Sequence, residues 1–156
     1  MVEIKYFMNT ACCTLVDALD KYKLPIVGYT FHVGDLFHPG HLHQLKESKR
    51  YCDVLICGIL TDGAVESYKR TPILSCLERM NVYTGIKYVD RVVSQADRDP
   101  TENLKVYKPD VLFHGNDWGE IPGSEWMKAN GGKVIKTPYY EGICTTDIIS
   151  RIKNDL

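Results

Sequence analysis

Four of the five histidines in the chain lie within one stretch of twelve residues. His38 and His41 are three positions apart with Pro39 between them, so they would share one face of a helix that begins near the proline. The first turn of a helix has N–H groups without intrahelical partners, and these groups carry partial positive charge. Two imidazole donors beside such a turn predict a phosphate-binding site.

Two other interpretations of this histidine cluster are open from the residues alone. Histidines three apart on a helix can ligate zinc, which would make the stretch a metal-binding element. No cysteine or carboxylate nearby completes a ligand set at zinc-site spacing, and His43 points elsewhere on the helix than His41. Histidines that only pack or face solvent are the second alternative. We favour phosphate-facing donors and expect no metal ligands from the protein.

The composition is that of an ordinary globular protein. The 156 residues, 44% apolar and 25% charged, suffice for one domain with a buried core. A net charge of −1 without any tract of like charge argues against nucleic acid as a partner. The sequence shows no membrane-spanning apolar run and no secretory leader, so we expect a cytoplasmic protein without membrane insertion. The six cysteines form no Cys-x-x-Cys pair and are expected to be reduced.

Patterns typical of strands and helices alternate along the chain. Strands are predicted at 25–31, 53–60, 88–93, 111–114 and 133–136. Helices are predicted at 39–50, 75–84, 101–107, 123–130 and 147–154, and 61–72 is predicted to be a polar connection. Leu42, Leu45 and Tyr51 should face the sheet from the first of these helices.

Several polar residues predict where the helices begin. Ser75 and Glu78, three positions apart, predict a capping box for the helix at 75–84. Thr145 or Thr146 could cap the last helix.

The alternation predicts an α/β fold, a Rossmann-like, doubly wound and mostly parallel five-stranded sheet in a single domain at 25–156. An amphipathic leading helix within residues 1–24 would pack on that domain. Ligands of such sheets bind beyond the carboxyl ends of the strands. The unusual polar residues collect there, at 31–41, 61–72, 114–118 and 138–146. Residues 31–41, which we call the histidine turn, should therefore share one site with the three other segments.

The sequence also resembles a known family. His38-Pro-Gly-His41 resembles the His-x-Gly-His signature of the nucleotidyltransferase superfamily, and Glu141-Gly-Ile-Cys-Thr-Thr146 resembles a motif of the cytidylyltransferases that make CDP-alcohols. Between these motifs, Glu78-Arg79, Lys87-Tyr-Val-Asp90 and His114-Gly-Asn-Asp117 are similar to segments of the phosphocholine, phosphoethanolamine and glycerol-3-phosphate enzymes. The resemblance covers about residues 25–154.

The resemblance implies attack of a phosphate oxygen on the α-phosphorus of CTP, with release of pyrophosphate. Magnesium (Mg2+) would be the cofactor and would be held mainly by the nucleotide phosphates. It implies that His38 and His41 donate to phosphate oxygens, that Lys69 reaches the phosphates of both substrates, and that Arg79 lies near the nucleotide or the acceptor phosphate. It also implies nucleotide contacts from Val33, Gly34, Asp35, Gly40, Gly115, Asp117, Gly142, Thr145 and Thr146.

The chain departs from the family pattern at two places. His32-Val-Gly34-Asp35 stands where the family usually has Gly-x-Phe-Asp, so a residue without a side chain is replaced by histidine. Tyr139-Tyr140 stands where Arg-Thr often precedes Glu-Gly, and Cys144 replaces a serine. One phosphate-binding cation of the family is therefore absent at this position.

Each assigned residue also has a purely structural interpretation. Lys69 could be a solvated loop lysine, and Arg79 an exposed helix arginine paired with a neighbour. Asp35 could only brace its turn, and Trp118 could only pack. The threonines at 145 and 146 could be no more than a helix cap.

The acceptor substrate is the part of the function that the sequence determines least. Arg98 stands about where the choline enzyme has a tryptophan, which disfavours choline and leaves a polar or anionic phospho-alcohol, including a phosphonate. An adenylyltransferase of the same superfamily and a non-catalytic metal- or nucleotide-sensing domain are the alternative functions. The segment Lys87–Asp90 resembles the dimer contact of the family, so we expect a homodimer.

Overall fold

A computed structural model describes residues 24–117 and 119–154. Within them, the strands are β1 (Val27–His32), β2 (Val54–Leu60), β3 (Arg91–Gln95), β4 (Val111–Gly115) and β5 (Lys133–Thr137). The helices are α1 (Pro39–Lys49), α2 (Asp62–Glu66), α3 (Cys76–Thr84), α4 (Thr101–Tyr107), α5 (Ser124–Ala129) and α6 (Thr145–Asn154).

The five strands form one parallel sheet in the order β3-β2-β1-β4-β5. β1 is central, and the chain builds outward from it first through β2 and β3 and then through β4 and β5. The direction of winding therefore reverses between β1 and β4, which is the point where doubly wound sheets bind ligands beyond the carboxyl ends of their strands. This confirms the predicted α/β fold with a Rossmann-like parallel sheet.

Apolar residues cover both faces of the sheet. On one face, Tyr29, Leu60 and Met127 belong to a buried cluster that also includes α2 and α4 residues. On the other face, Leu45 of α1 and Tyr83 of α3 pack against alternate residues of β2 and β4. Burial on two faces explains why β2 is a continuous apolar run in the sequence.

Most predicted elements overlap the observed ones, but the third strand was predicted too early. Its predicted range was 88–93, whereas β3 is Arg91–Gln95. Tyr88 and Val89 favour a strand by composition, yet the Val89 N–H closes a turn on the Ile86 carbonyl, 2.9 Å away. The Asp90 carboxylate accepts a hydrogen bond from the Leu55 N–H at 2.6 Å, so the ladder with β2 starts after this side-chain contact.

Two predictions about helices were also wrong. The polar connection at 61–72 contains α2, which is short and which Thr61 caps by accepting a hydrogen bond from the Ala64 N–H. The last helix begins at Thr145, and neither threonine caps it. The Asp147 carboxylate accepts a hydrogen bond from the Cys144 N–H at 2.8 Å, so the cap is formed from within the first turn. The capping box of Ser75 and Glu78 is confirmed.

The sheet-facing side of α1 differs in part from the prediction. Leu45 is fully buried, but Leu42 and Tyr51 are 38% and 52% exposed. The buried positions of α1 are Leu45 and Ser48, and Tyr51 lies beyond the end of the helix. The side of α1 that faces the sheet is therefore the side of Leu45 and Ser48, and of the three predicted residues only Leu45 lies on it.

The leading helix was predicted within residues 1–24, of which only Leu24 is among the described residues. Trp118 also lies outside the described residues. In the described part of the chain, none of the helices has both the length and the apolar character needed to span a membrane.

Candidate nucleotidyl-transfer site

A cavity of about 560 Å³ opens at the carboxyl edge of the sheet, over the ends of β1, β2 and β4. We divide its lining into a β2 half, which comprises Leu60, Val65, Tyr68, Lys69, Arg70 and Pro72, and a β4 half, which comprises His114, Gly115, Asp117, Pro138–Tyr140 and Ile143–Thr146. The histidine turn lies between the halves. Of the residues assigned from the sequence, the cavity wall includes His38, His41, Lys69, Val33, Asp35, Gly40, Gly115, Asp117, Thr145 and Thr146.

His38 is the N-cap residue of α1. Its backbone is extended, Pro39 follows at the first helical position, and its Nδ1 accepts a hydrogen bond from the Gly40 N–H at 3.1 Å. In the neutral ring the proton is therefore assigned to Nε2, which leaves that nitrogen as a donor. The rings of His38 and His41 have centroids 4.0 Å apart, so the two imidazoles line the cavity together.

His41 is held in its neutral form. Its Nδ1 is buried and has no hydrogen-bond partner among residues 24–117 and 119–154. Burial lowers the pKa of His41 to about 2, and the nearby His32, His38 and Lys69 reinforce the shift. The pKa of His38 is also lowered, by burial, although Asp147 opposes the effect. In the empty cavity both rings are therefore neutral, and each can present a ring N–H to a phosphate oxygen.

His32 supports His41 from within the fold. Its Nδ1 accepts a hydrogen bond from the Tyr83 hydroxyl at 2.8 Å, and its Nε2 donates to the Gln44 side-chain oxygen. The Gln44 amide nitrogen donates to the Thr30 hydroxyl at 3.0 Å, which fixes its orientation. Burial lowers the pKa of His32 to about 3. The ring centroids of His32 and His41 are 5.6 Å apart.

The neighbouring Gly34 lies outside the cavity wall and has a φ of 74°. A Cβ at this position would come within 2.7 Å of the Tyr83 ring. Glycine is therefore required both for its backbone conformation and for space. The Tyr83 side chain therefore contacts both His32, through its hydroxyl, and the backbone of the turn at Gly34.

Asp35 braces the turn. It is 2% exposed, and its carboxylate accepts hydrogen bonds from the N–H groups of Ile73 and Leu74 at 2.9 and 3.0 Å and from Arg70 at 2.9 Å. Burial alone would raise the pKa of Asp35, but these hydrogen bonds outweigh it and the pKa falls below its usual range. With its carboxylate committed to three donors, Asp35 borders the cavity as a structural residue. The interpretation of Asp35 as a brace is the one that this geometry favours.

Arg79 lies behind the cavity wall and does not line it. The side chain is fully buried, contrary to the alternative of an exposed arginine. Its guanidinium donates to the carbonyls of Leu74, at 3.0 Å, and Val33, and to the Asp62 carboxylate at 2.5 Å. These contacts tie α3 to the histidine turn and to the start of α2, so Arg79 positions the site without reaching into it.

The β4 half is formed by the ends of β4 and β5 and by the start of α6. The Asn116 side-chain oxygen accepts a hydrogen bond from the Tyr139 N–H at 3.0 Å, which links the two loops. Thr145 and Thr146 lie at the first turn of α6, and Tyr139 is half exposed on the same wall. Gly142 is not part of the wall, and a Cβ at this position would come within 2.6 Å of the Tyr140 ring. This half presents backbone N–H groups, hydroxyls and aromatic surface to a ligand.

Some residues of the cavity were not identified from the sequence. Tyr68 and Arg70 line the β2 half, and Gln44, which also borders the cavity, fixes His32. The adjacent basic pair at 69 and 70 was the available signal for Arg70. Nothing in the spacing of Tyr68 or Gln44 distinguishes them from packing residues. Among the described residues, no group of three or more His, Cys, Asp or Glu side chains is arranged to hold a metal ion.

The winding of the parallel sheet reverses at β1, and the helix that follows β1 begins with His-x-Gly-His beside a cavity with two halves. This arrangement defines a nucleotide-binding protein of the nucleotidyltransferase type. Residues 33–151 match the family described as cytidylyltransferase-like. The chain belongs to this family, within the nucleotidyltransferase superfamily, and the resemblance found in the sequence is confirmed.

Individual relatives support this assignment. The chain is 36% identical over 132 residues to the bifunctional protein HldE of Caulobacter vibrioides and 32% identical over 157 residues to that of Paramagnetospirillum magneticum. These matches cover 82% and 98% of this chain but only 27% and 32% of the relatives. The crystal structure of a lipopolysaccharide core biosynthesis protein from Thermoplasma volcanium is similar with a TM-score of 0.68 and 25% identity, over 76% of this chain and all of that one.

Proposed function

We propose that the protein transfers CMP from CTP to a small phospho-alcohol or phosphonate, releasing pyrophosphate and forming a CDP-alcohol or a CMP-phosphonate. The observation that carries the proposal is the pair of neutral imidazoles, His38 and His41, at the start of α1 between the two halves of one cavity. A site of this shape can hold two phosphate-bearing ligands with their phosphates meeting at the histidines. The cytidylyltransferase-like family supports the same reaction class.

The β4 half would bind the nucleotide. The first turn of α6 offers N–H groups and the Thr146 hydroxyl to the β- and γ-phosphates, while the Thr145 hydroxyl is bonded to the Asp35 carbonyl. The half-exposed ring of Tyr139 gives the base an aromatic surface. The acceptor would occupy the β2 half, where Lys69 can reach its phosphate.

No general base is needed, because the attacking phosphate oxygen is already an anion. Catalysis would consist of positioning and of stabilising the charge that develops on the α-phosphate. His38, through its Nε2–H, and His41 would donate to the phosphate oxygens. Lys69 would supply positive charge between the two anionic substrates.

Magnesium fits this arrangement as a partner of the nucleotide. The carboxylate of Asp35 is occupied, whereas Asp117 brings one carboxylate to the β4 half, where it would hold the ion together with the phosphate oxygens of the nucleotide. When bound, the ion would neutralise charge on the triphosphate.

A second candidate is an adenylyltransferase that acts on a phosphorylated sugar. The observation that favours it is the similarity to the bifunctional HldE proteins, together with the similarity to a protein of lipopolysaccharide core biosynthesis over that protein's whole length. The pathway would then supply a cell-envelope precursor. The two candidates share the cavity, the histidines and the release of pyrophosphate, and they differ in the base and the acceptor.

Pyrophosphate release with each nucleotide separates these candidates. The protein, with magnesium, would be assayed with CTP or ATP against glycerol-3-phosphate, phosphoethanolamine, hydroxyethylphosphonate and hexose phosphates. Acceptor-dependent release from CTP is the expected result. Release from ATP alone would establish the second candidate. Stoichiometric zinc together with no release from either nucleotide would overturn both in favour of a sensing domain.

We also propose that the protein is a homodimer. β3 lies at an edge of the described sheet, next to the segment Lys87–Asp90. Light scattering of the full chain tests this, and a monomer at micromolar concentration would contradict it.

A further inference from the structure

A second cavity, of about 650 Å³, opens at the edge of the sheet opposite the candidate site. Its lining includes Ile26, which directly precedes β1, and Val111 and Lys133, the first residues of β4 and β5. Because the strands are parallel, their amino ends share one edge of the sheet. We call this cavity the amino-edge groove.

Apolar and aromatic side chains line much of the amino-edge groove. Val111 and Met127 are buried, and Ile26, Trp126 and Ile135 are partly buried. Tyr51 also lines the groove, with its ring centroid 6.4 Å from that of Phe113, yet it stays 52% exposed. Covering such a surface with apolar side chains would be favourable.

The backbone where the strands begin needs no hydrogen bonds from an occupant. The Val27 N–H donates to the Asp110 carboxylate at 2.8 Å, and the Asp110 N–H donates to the Val27 carbonyl at 2.8 Å. The Lys133 N–H donates to the Asp110 carbonyl at 2.8 Å. The groove is therefore already formed, and an apolar occupant would leave these backbone groups paired.

The described part of the chain begins at the rim of this groove. The Ile26 N–H donates to the Asp53 carboxylate at 2.8 Å, which fixes the chain where it enters β1, and Leu24 is 84% exposed. Residues 1–23 precede Leu24 and lie outside the described residues. Pro25 restricts the residue before it to extended backbone, so a helix in the preceding segment would end beside the groove.

The preceding segment has the pattern of an occupant for an apolar groove. The sequence predicts an amphipathic helix at 10–23 in which Leu15, Leu19 and Tyr22 share one side, while Asp17 and Lys21 lie on the other. An isolated helix of this length is marginal in water and depends on packing of its apolar side.

We infer that residues 10–23 dock in the amino-edge groove of the same chain, with the side of Leu15, Leu19 and Tyr22 covering Tyr51. The segment is joined to Ile26 through Leu24 and Pro25 alone, so its local concentration at the groove exceeds that of any separate molecule. The docking does not depend on the reaction that the protein catalyses, because the groove and the candidate site lie at opposite edges of the sheet.

Hydroxyl-radical footprinting of the full chain tests whether the groove is covered. Tyr139 is the matched reference, because it is 50% exposed where Tyr51 is 52% exposed, and it lies at the other edge of the sheet. Tyr51 should be oxidised at least about threefold more slowly than Tyr139. Equal rates would overturn the inference, and this comparison within the wild type does not depend on any variant folding.

Two variants test whether the leading segment is what covers Tyr51. Leu19→Asp should bring the Tyr51 rate up to that of Tyr139, because a carboxylate in an apolar groove loses its hydration. Thr14→Asp introduces the same group on the polar side of the predicted helix and should keep Tyr51 protected. Protection of Tyr51 that Leu19→Asp leaves unchanged would overturn the inference.

A photoreactive benzophenone side chain at position 51 identifies the occupant directly. Illumination of the full chain should join it to residues 10–23 of the same polypeptide, as read by peptide mapping of the monomer band. The same side chain at position 139 should form no adduct with that segment. Adducts only between two polypeptides would overturn the inference in favour of a second copy, and the lack of any protein adduct would overturn it in favour of an open groove.

Discussion

The Thr145 hydroxyl donates a hydrogen bond of 3.2 Å to the backbone carbonyl of Asp35, across 110 positions of the chain. The contact joins the start of α6 to the turn before α1. The two segments that carry the family resemblance therefore meet at one point of the cavity wall. A nucleotide bound along α6 would have its phosphates directed toward the histidine turn, which is the arrangement that the proposed transfer needs.

Replacing either histidine of the helix start should reduce turnover. His38→Ala or His41→Ala is expected to lower kcat by roughly 10²–10³, the usual loss for one transition-state donor, with a smaller change in nucleotide KM. Steady-state pyrophosphate release measures both constants. His43→Ala is the control, because His43 packs near Tyr140 and is not part of the cavity wall. Turnover in either of the first two variants equal to that of His43→Ala would contradict the assignment.

The hydrogen bonds that Asp35 accepts from backbone N–H groups should contribute more to stability than its ion pair with Arg70 does. Asp35→Asn leaves one side-chain oxygen where the carboxylate accepted two backbone N–H groups and Arg70, so a loss of about 2–3 kcal/mol in the free energy of unfolding is expected. Arg70→Met should cost less than about 1 kcal/mol, because the Arg70 side chain is 46% exposed. Urea denaturation compares the variants. Equal losses would mean that the ion pair, and not the backbone contacts, holds the loop.

Arg79 should affect activity by stabilising the fold around the site and not by contacting a substrate. Arg79→Met leaves the carbonyls of Val33 and Leu74 and the Asp62 carboxylate without their buried partner, and it is expected to cost about 3–5 kcal/mol. Arg50→Met removes an exposed pair with Glu47 and should cost less than about 0.5 kcal/mol. Thermal and urea unfolding measure both. If Arg79→Met kept the stability of the parent while kcat fell about a hundredfold, Arg79 would have to contact a substrate.

The buried histidines should make stability depend on pH. The pKa values of His32 and His41 are lowered to about 3 and about 2, so the unfolded chain takes up protons below about pH 6.5 while the folded chain does not. Stability is then fully present above about pH 6.5 and falls with decreasing pH, by up to about 1.4 kcal/mol per pH unit for each histidine. Unfolding free energies measured at several values from pH 7.5 to 5 test this.

Variants isolate the contribution of these two rings. His32→Gln and His41→Gln should each reduce the slope of the unfolding free energy against pH by up to about 1.4 kcal/mol per pH unit, since glutamine does not titrate. Other groups keep their titration in both the variant and the parent. An unchanged slope in both variants would contradict a neutral, buried state for the two histidines.

The sequence predicted the elements that its own periodicity determines. The apolar run of β2, the proline at the start of α1 and the capping box of α3 each depend on residues close together in the chain. The beginning of β3 was misplaced because it depends on Asp90 reaching the backbone of Leu55, 35 positions away. The short helix α2 was missed because five residues are too few to show a helical period.

The same distinction holds for the site. The sequence placed the histidines and Lys69 at the cavity, because a helix start and the ends of parallel strands fix those positions. The location of Arg79 could not be predicted, since its burial depends on three partners from separate segments. The role of His32 depends likewise on Tyr83 and Gln44, whose contacts with it exist only in the folded chain.

The measurement that tests the central claim most directly is identification of the reaction product by ³¹P NMR. After incubation with CTP, magnesium and the best acceptor, the proposal predicts one pyrophosphate per product and a new P–O–P linkage between the acceptor phosphorus and the α-phosphorus of the nucleotide. The His41→Ala protein should form this product far more slowly. A product pattern of CDP and inorganic phosphate, with the acceptor unchanged, would contradict nucleotidyl transfer.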